Sequence, residues 1–258
     1  MLLYPAVSNY INSLHQSQAI SSYNEAVSSL SAEEYHSIIN EAHNYNNQIR
    51  ERNNVLTLSE NERKKYEENL NVSGNGIMCY VEIPDIDIIL PVYHGTTEDV
   101  LQRAAGHLDW TSLPVGGKGT HSVISGHRGL PSARLFTDLD KLKEGNVFKI
   151  HILDEELCYE IDSINIIDPK DTSILQIDKD KDLCTLMTCT PYAINTHRLC
   201  VRGHRIDDSD YDNLAVSSEA IRIDPLMVAI IMAIPLIVTI FVILLVSMSK
   251  KRKSHTKD

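Results

Sequence analysis

The sequence has few cysteines, and their spacing does not suggest a scaffold. The five cysteines include no C-x-x-C pair, and an odd number cannot all pair within one chain, which argues against a disulfide framework. Histidines are more frequent, but none are spaced H-x-x-x-H. The pattern therefore predicts neither a metal site nor a bound cofactor. The histidines that this spacing argues against as metal ligands are His94, His107, His121, His197 and His204.

Positive charge is scarce outside the last few residues. The formal net charge is −11, and residues 250–258 carry +4, which leaves −15 for residues 1–224. A nucleic-acid partner would require a basic face, so this class of function is excluded. The acidic balance suits a basic or lysine-bearing protein partner, although solubility explains it equally well.

Apolar runs long enough to cross a bilayer are also rare. Residues 1–7 are apolar but too short, whereas residues 226–249 form 24 residues without a formal charge, followed at once by four basic residues. At about 1.5 Å per residue, such a helix spans a hydrocarbon core of roughly 30 Å. We predict a linker at 209–225, a transmembrane helix at 226–249 and a cytoplasmic basic tail at 250–258. The positive-inside rule then places the preceding domain on the extracellular face of the cell membrane.

Helical periodicity dominates the N-terminal region, residues 1–75. Between Tyr10 and Tyr45, apolar residues including Leu14, Tyr23 and Val27 recur at helical spacings. Ser31 and Glu34 are spaced as a capping box between two helices. We predict amphipathic helices packed on the outside of the domain. A second box at Ser59 opens a charged run with little apolar face, which predicts a solvated helix or a mobile segment.

The pattern changes at Ile77 to short β runs separated by turns, such as Pro84-Asp85 and the glycine-rich stretch 116–119. The spacing predicts a mainly β fold, an eight-stranded closed or nearly closed barrel over residues 76–208. The predicted strands are Ile77 to Ile83, Ile86 to Val92, Gly106 to Leu108, His121 to Ser125, Val147 to Leu153, Leu157 to Ile167, Leu183 to Thr188 and Arg198 to Ile206.

The stretch Leu183 to Arg205 contains the most informative cysteine. Thr190-Pro191-Tyr192 follows a short apolar run and stops it, because proline supplies no backbone N–H and fixes its own φ. The strand is therefore expected to end at Cys189, at the rim of a sheet. Arg198 opens the next run, and a hairpin between the two would bring the guanidinium and the thiol to the same rim. A cysteine at a strand end is more often a packing residue, so position alone does not decide its role.

Several separated sequence motifs indicate the role that the position of Cys189 leaves open. T-L-M-T-C at residues 185–189 is followed by T-P-Y and N-T-H-R-L, and S-G-H-R-G-L-P occupies residues 125–131. Together they resemble the signature of the sortases, and specifically of the pilus-assembling class C branch, from Ile77 to Ile206. The resemblance implies the sortase-type barrel, with Cys189 as nucleophile, His127 as its acid/base partner and Arg198 as stabiliser of the oxyanion.

The same resemblance implies the reaction and the partners. Class C sortases cleave a sorting motif of the LPxTG kind through a thioester and pass the pilin to a lysine of the next subunit. The alternatives that stay open are a housekeeping-type sortase that anchors proteins to the cell wall, a cysteine protease, and a non-catalytic surface module.

Two features depart from the class C pattern. Such relatives carry a lid with an Asp-Pro-aromatic anchor over the thiol, and no such tripeptide occurs between Arg50 and Gly76. The lid is therefore expected to be absent or altered. Relatives also usually begin with a hydrophobic segment, so the short apolar start at residues 1–7 resembles a truncated or misassigned one.

Overall fold

The computed structural model describes residues 4–52 and 56–207, with side chains from residue 7 onward. The predicted linker at 209–225, transmembrane helix at 226–249 and basic tail at 250–258 lie outside the described residues. Within the described ranges, no helix has both the length and the hydropathy needed to cross a bilayer.

A closed barrel of eight strands forms the body of the described chain. The strands are β1 (Ile77–Ile83), β2 (Ile88–His94), β3 (Ala105–His107), β4 (Thr120–Ser125), β5 (Val147–Ile152), β6 (Glu155–Ile167), β7 (Asp182–Thr190) and β8 (His197–Arg205). Their order around the barrel is β1-β2-β3-β4-β7-β8-β6-β5. Neighbours are antiparallel except for β2 with β3 and β4 with β7. The predicted eight-stranded barrel is confirmed.

Alternation along the strands separates an inner from an outer face. Cys184 and Leu186 of β7 belong to the main core, as do Leu199 and Val201 of β8. Because successive side chains of a strand point to opposite faces, the residues that alternate with these four along each strand lie on the outer face. Fully burying one aliphatic core side chain stabilises the fold by about 1.5–3 kcal/mol. The core therefore fixes which side chains of β7 and β8 the barrel presents outward.

Helices lie before and between the strands: α1 (Tyr4–Ser28), α2 (Ala32–Glu51), α3 (Glu60–Glu68) and the short α4 (Glu98–Leu101). The predicted capping box is present at the start of α2. The backbone N–H of Ser31 donates to the Glu34 carboxylate at 2.9 Å, and the Glu34 N–H donates to the Ser31 hydroxyl at 3.3 Å. The predicted pair of N-terminal helices is confirmed.

Buried polar bonds attach the helices to the barrel. Asn46 of α2 is 3% exposed, and its amide bonds the backbone of Leu113 twice, donating at 3.0 Å and accepting at 2.7 Å. Tyr23 of α1 donates its hydroxyl to the Met78 carbonyl and accepts from the Leu153 N–H. These bonds fix the position of each helix, because a buried polar group without its partner is costly.

Two expectations about the N-terminal region need correction. Leu14 lies within the predicted apolar pattern but is 51% exposed, because α1 packs through a different face. The charged helix α3 is not wholly solvated, since Tyr66 is 1% exposed. Its hydroxyl contacts the buried ring of His107 at 3.0 Å.

Most predicted strand limits shift by one or two residues, and the shifts of β7 and β2 have identifiable causes. β7 continues through Cys189 to Thr190, because Thr190 still pairs with His197. The strand ends there because the next residue, Pro191, has no backbone N–H to donate. β2 begins at Ile88 rather than Ile86, since Pro84–Ile86 forms a short 3-10 turn that is followed by a left-handed Asp87.

Candidate active site

Cys189 and Arg198 stand directly opposite each other on β7 and β8. Cross-strand partners in an antiparallel pair have side chains on the same face, with Cβ atoms about 4.5–5.5 Å apart. Cys189 is partly exposed, whereas the other four cysteines, Cys79, Cys158, Cys184 and Cys200, are buried. The hairpin therefore presents a thiol and a guanidinium together on the outer face of the barrel.

His127 follows the end of β4, which runs parallel to β7. The register pairs Ser125 with Met187, and the Gly126 N–H donates to the Met187 carbonyl at 3.0 Å. Thr188 then donates its hydroxyl to the Gly126 carbonyl at 2.7 Å. These bonds carry the pairing past the end of β4. The backbone of His127 consequently lies alongside the Cys189 end of β7, so all three predicted site residues share one end of three adjacent strands.

Glu98 of α4 contacts the imidazole of His127. Its Oε1 lies 3.5 Å from Nε2 of His127, which is within ion-pair distance but too long for a hydrogen bond. Gln102, one turn later, donates its amide to the same carboxylate at 2.5 Å. The pKa of Glu98 is lowered, first by the hydrogen bond from Gln102 and also by His127. Sequence reasoning missed Glu98, because only the folded chain places α4 beside the histidine motif.

Arg128 connects the histidine motif to the end of β7. Its Nη1 lies 3.3 Å from the Thr190 hydroxyl, its Nη2 bonds the carboxylate of Asp140, and its guanidinium carbon lies 5.9 Å from the ring centroid of Tyr192. The side chain is only 10% exposed. Arg128 therefore holds the loop after His127 against the turn after Cys189. The S-G-H-R-G-L-P motif contains this arginine, but its partners could not be identified from the sequence.

Gly129 allows the Tyr192 ring to approach this loop. Gly129 has φ +78, in the left-handed region that favours glycine, and a Cβ built there would lie 2.8 Å from Cε2 of Tyr192. A larger residue would force the Tyr192 ring away from this position. The two sequence motifs thus touch through Gly129 and Tyr192.

The guanidinium of Arg198 is held by its own turn. Nη1 lies 3.4 Å from the carbonyl of Asn195 and 3.2 Å from that of His197. Within the described ranges, no carboxylate forms an ion pair with Arg198, unlike Arg202, which bonds Asp162 through Nε and Nη2. Arg198 therefore keeps hydrogen-bond donors for an external oxygen.

An apolar cluster packs against the outer face of the sheet on the side that carries the thiol. We call it the outer apolar cluster. Its buried members are Leu108, Val123, Ile167, Leu175 and Cys200, with Trp110, Ile174 and Met187 half-buried against them. Met187 stands two residues before Cys189 on the same face, so the cluster is continuous with the strand that carries the thiol.

The buried histidines have structural partners. His107 bonds the Ser112 carbonyl at 2.8 Å, and burial lowers its pKa to about 3. His121 contacts the Gln176 carbonyl at 3.0 Å and the Thr185 hydroxyl at 2.8 Å, and burial lowers its pKa to about 4. Neutral rings satisfy these contacts. In the part of the chain that the structure describes, no group of three His, Cys, Asp or Glu residues could hold a metal ion.

The stretch where class C relatives carry a lid contains α3 and the residues before it. Leu56 is 45% exposed and lines a narrow cavity of about 40 Å³ together with Trp110, Leu175 and Ile177. The expectation of an absent or altered lid stays a prediction, since residues 53–55 lie outside the described ranges.

Comparison with known proteins gives a consistent family. Residues 81–206 match the Sortase domain. Sortase C1 from Streptococcus agalactiae superposes with a TM-score of 0.72 at 49% identity, over 74% of this chain and 99% of that one. Clostridium perfringens sortase C, solved with the C-terminal cell wall sorting motif, gives 0.65 at 43% identity, over 74% and 98%.

A curated relative matches over a shorter length. Sortase D of Bacillus subtilis (strain 168) is 32% identical over 113 residues, which is 44% of this chain and 54% of that protein. The chain thus spans about half the length of this relative.

Proposed function

Since the chain belongs to the sortase family of cysteine transpeptidases, we propose that it polymerises pili by cleaving an LPxTG-like sorting motif and passing the pilin to a lysine of the next subunit. The observation that carries this proposal is the juxtaposition of Cys189, Arg198 and His127 at one end of β7, β8 and β4. Structural similarity to a sortase C1 supports the pilus branch.

The proposed first step forms a thioester. The Cys189 thiolate attacks the carbonyl carbon between the Thr and Gly of the motif, and the oxygen that gains charge is bonded by Arg198, which stays protonated at any physiological pH. The C–N bond then breaks, and His127 donates a proton to the leaving amine. Without its partners a thiol is mostly protonated at neutral pH, so the nucleophile depends on this environment.

The second step transfers the acyl group. The lysine amine of the acceptor pilin attacks the thioester carbon and gives a proton to His127, after which the C–S bond breaks and the thiolate is restored. An isopeptide bond replaces the peptide bond, so the exchange needs no external energy source. Water in place of the amine would give hydrolysis instead.

The outer apolar cluster supports an apolar motif as donor. The Clostridium perfringens relative was solved with a cell wall sorting motif. For this chain we propose that the leucine and proline of an LPxTG-like segment pack against Ile174, Met187 and Trp110. Burial of these side chains would hold the following Thr–Gly bond at Cys189.

We also propose that the enzyme is tethered to the cell membrane by the helix at 226–249, with the barrel on the extracellular face. The uncharged length of that run and the basic residues after it support this arrangement. Donor and acceptor pilins would then meet the enzyme at the cell surface.

The test incubates the full chain in detergent with a purified pilin that carries the sorting motif. The unmodified enzyme and a Cys158→Ala control, altered at a buried thiol, should both yield high-mass ladders that resist boiling in detergent, and Cys189→Ala should yield none. Ladders from Cys189→Ala would refute the proposed nucleophile. Hydrolysed pilin without ladders would favour a protease, and transfer only to a cell-wall peptide amine would favour a housekeeping-type sortase.

A further inference from the structure

The first half of α1 exposes a continuous apolar stripe. Val7, Tyr10, Ile11 and Leu14 are 52%, 63%, 47% and 51% exposed. Their spacing of three, four and seven residues places them on one face of the helix. We call these four residues the α1 stripe. All four side chains are exposed in the part of the chain that the structure describes. Their apolar character is therefore not required by packing against the barrel.

The other face of α1 holds the helix in a defined orientation. The Arg134 N–H donates to the Asn9 side chain at 2.8 Å, Asn12 donates to the Ser132 carbonyl at 3.1 Å, and Gln16 donates to the Arg103 carbonyl at 2.8 Å. Ser132 and Arg134 belong to the loop that follows the histidine motif. The α1 stripe is therefore a fixed surface beside the catalytic end of the molecule.

Charge distinguishes this helix from the rest of the domain. Residues 4–24 contain no Asp, Glu, Lys or Arg, although residues 1–224 together carry −15 when the tail's +4 is removed from the total of −11. Most of an acidic domain is repelled by an anionic lipid surface. The uncharged α1 face is a place where that repulsion is absent and apolar side chains are available.

We propose that the α1 stripe docks on the lipid surface of the membrane, with Val7, Ile11 and Leu14 in the outer acyl region and Tyr10 at the headgroup level. Tyrosine is amphipathic and favours this level. The proposal rests on the membrane tether proposed above. Residues 208–225 separate the barrel from the uncharged run, and 18 extended residues reach at most about 60 Å. The proposed tether would therefore keep the barrel no further than this length from the bilayer.

A second copy of the chain is the main competing occupant. Stable interfaces usually bring about 20–30 residues from each partner. The α1 stripe offers four, which is too few for a stable dimer but enough for a shallow insertion that assists an existing tether. Docking would hold the loop after His127 close to the surface.

The experiment places a fluorescent reporter in the stripe of the full chain. The only tryptophan, Trp110, is replaced by Phe, and Ile11→Trp is compared with Ile89→Trp, whose isoleucine is similarly exposed at 53% but lies on β2. Each protein is reconstituted into phosphatidylglycerol–phosphatidylcholine vesicles that contain phosphatidylcholine brominated on its acyl chains. We expect the tryptophan at position 11 to be quenched several-fold more strongly than the one at position 89, with a blue-shifted emission.

Three results would overturn the proposal. Equal quenching at the two positions in floated, vesicle-bound protein would reject docking by α1 and leave the tether intact. Protection of position 11 from iodide in detergent, increasing with protein concentration, would identify a second copy as the occupant. Failure to float with vesicles would reject both docking and tether, whereas pilin ladders formed in detergent test the transpeptidase reaction independently.

Discussion

The carboxylate of Glu98 lies 3.5 Å from Nε2 of His127, and the amide of Gln102, the residue that follows α4, donates a hydrogen bond to the same carboxylate. The Glu98 side chain is 69% exposed, so solvent screens this interaction and weakens it. Its relevance comes from the group it contacts, because His127 is the proposed proton carrier.

Removing that charge should slow transfer modestly. We expect Glu98→Gln to lower kcat/KM by about 2- to 5-fold, since a solvent-exposed carboxylate acts on its neighbour only weakly. The deficit should shrink in high salt, where the interaction is screened in the unmodified enzyme as well. Asp99→Asn removes the same charge from the neighbouring exposed residue and should leave kcat/KM unchanged. Equal losses in the two variants would assign the effect to overall charge instead.

The shape of the Arg198 guanidinium, as well as its charge, should contribute to the rate of thioester formation. Loss of a donor to a developing oxyanion costs about 10²–10³ in kcat. We expect Arg198→Ala to lose at least this factor and Arg198→Lys to recover only part of it, because an ammonium lacks the planar donor fork. Single-turnover thioester formation is the measurement. An activity of Arg198→Lys equal to that of the unmodified enzyme would exclude a role for the fork.

Cys189 should react with a small thiol reagent well before the other four cysteines. Burial raises the pKa of the Cys79, Cys184 and Cys200 thiols, which suppresses their thiolates, whereas Cys189 is partly exposed. Mass spectrometry of the resting enzyme over time provides the test. Rapid labelling is expected from an absent or altered lid, and a slow, protected Cys189 would indicate that some segment covers it.

The barrel should lose stability in acid. Burial lowers the pKa of His107 to about 3 and that of His121 to about 4, both below the 6.5 of an ordinary histidine. Between pH ~6.5 and the lowered pKa of each ring, the unfolded chain binds more protons than the folded protein. The stabilisation present above pH ~6.5 is therefore lost as the pH falls through this range. We expect each ring to contribute on the order of 1 kcal/mol per pH unit in urea titrations.

A matched pair of variants isolates this effect. His121→Gln should reduce the slope of stability against pH, whereas His15→Gln, altered at an exposed position of α1, should not change it. Asp182 acts in the opposite direction, because burial raises its pKa, and it is unchanged in both variants. Identical slopes for the two variants would rule out His121 as a source.

The docking of α2 should depend on one amide. Asn46→Ala removes both bonds to Leu113 and leaves buried backbone groups without partners, which we expect to cost about 2–4 kcal/mol of unfolding free energy. Asn47→Ala, at the adjacent exposed position, should cost less than about 1 kcal/mol. Chemical denaturation of both variants measures the difference, and similar losses would mean that helix propensity, not docking, dominates.

Local patterns in the sequence determined much of the fold. Strand periodicity located all eight strands of the barrel to within a few residues, because the alternation of side chains is a property of each strand alone. The capping box at Ser31 and Glu34 fixed the start of α2 for the same reason. The residue types around Cys189, His127 and Arg198 also suggested one chemistry before any geometry was known.

Closure of the barrel determined contacts between distant residues that no local sequence pattern predicts. It set Arg128 against Thr190, 62 positions away, and brought α4 close enough for Glu98 to contact His127. Tertiary packing also chose the buried face of α1: Leu14 and Tyr23 both fit the apolar period, yet only Tyr23 is buried. Hydrophobic periodicity shows that a helix has an apolar face, but only the surface it meets determines which residues leave water.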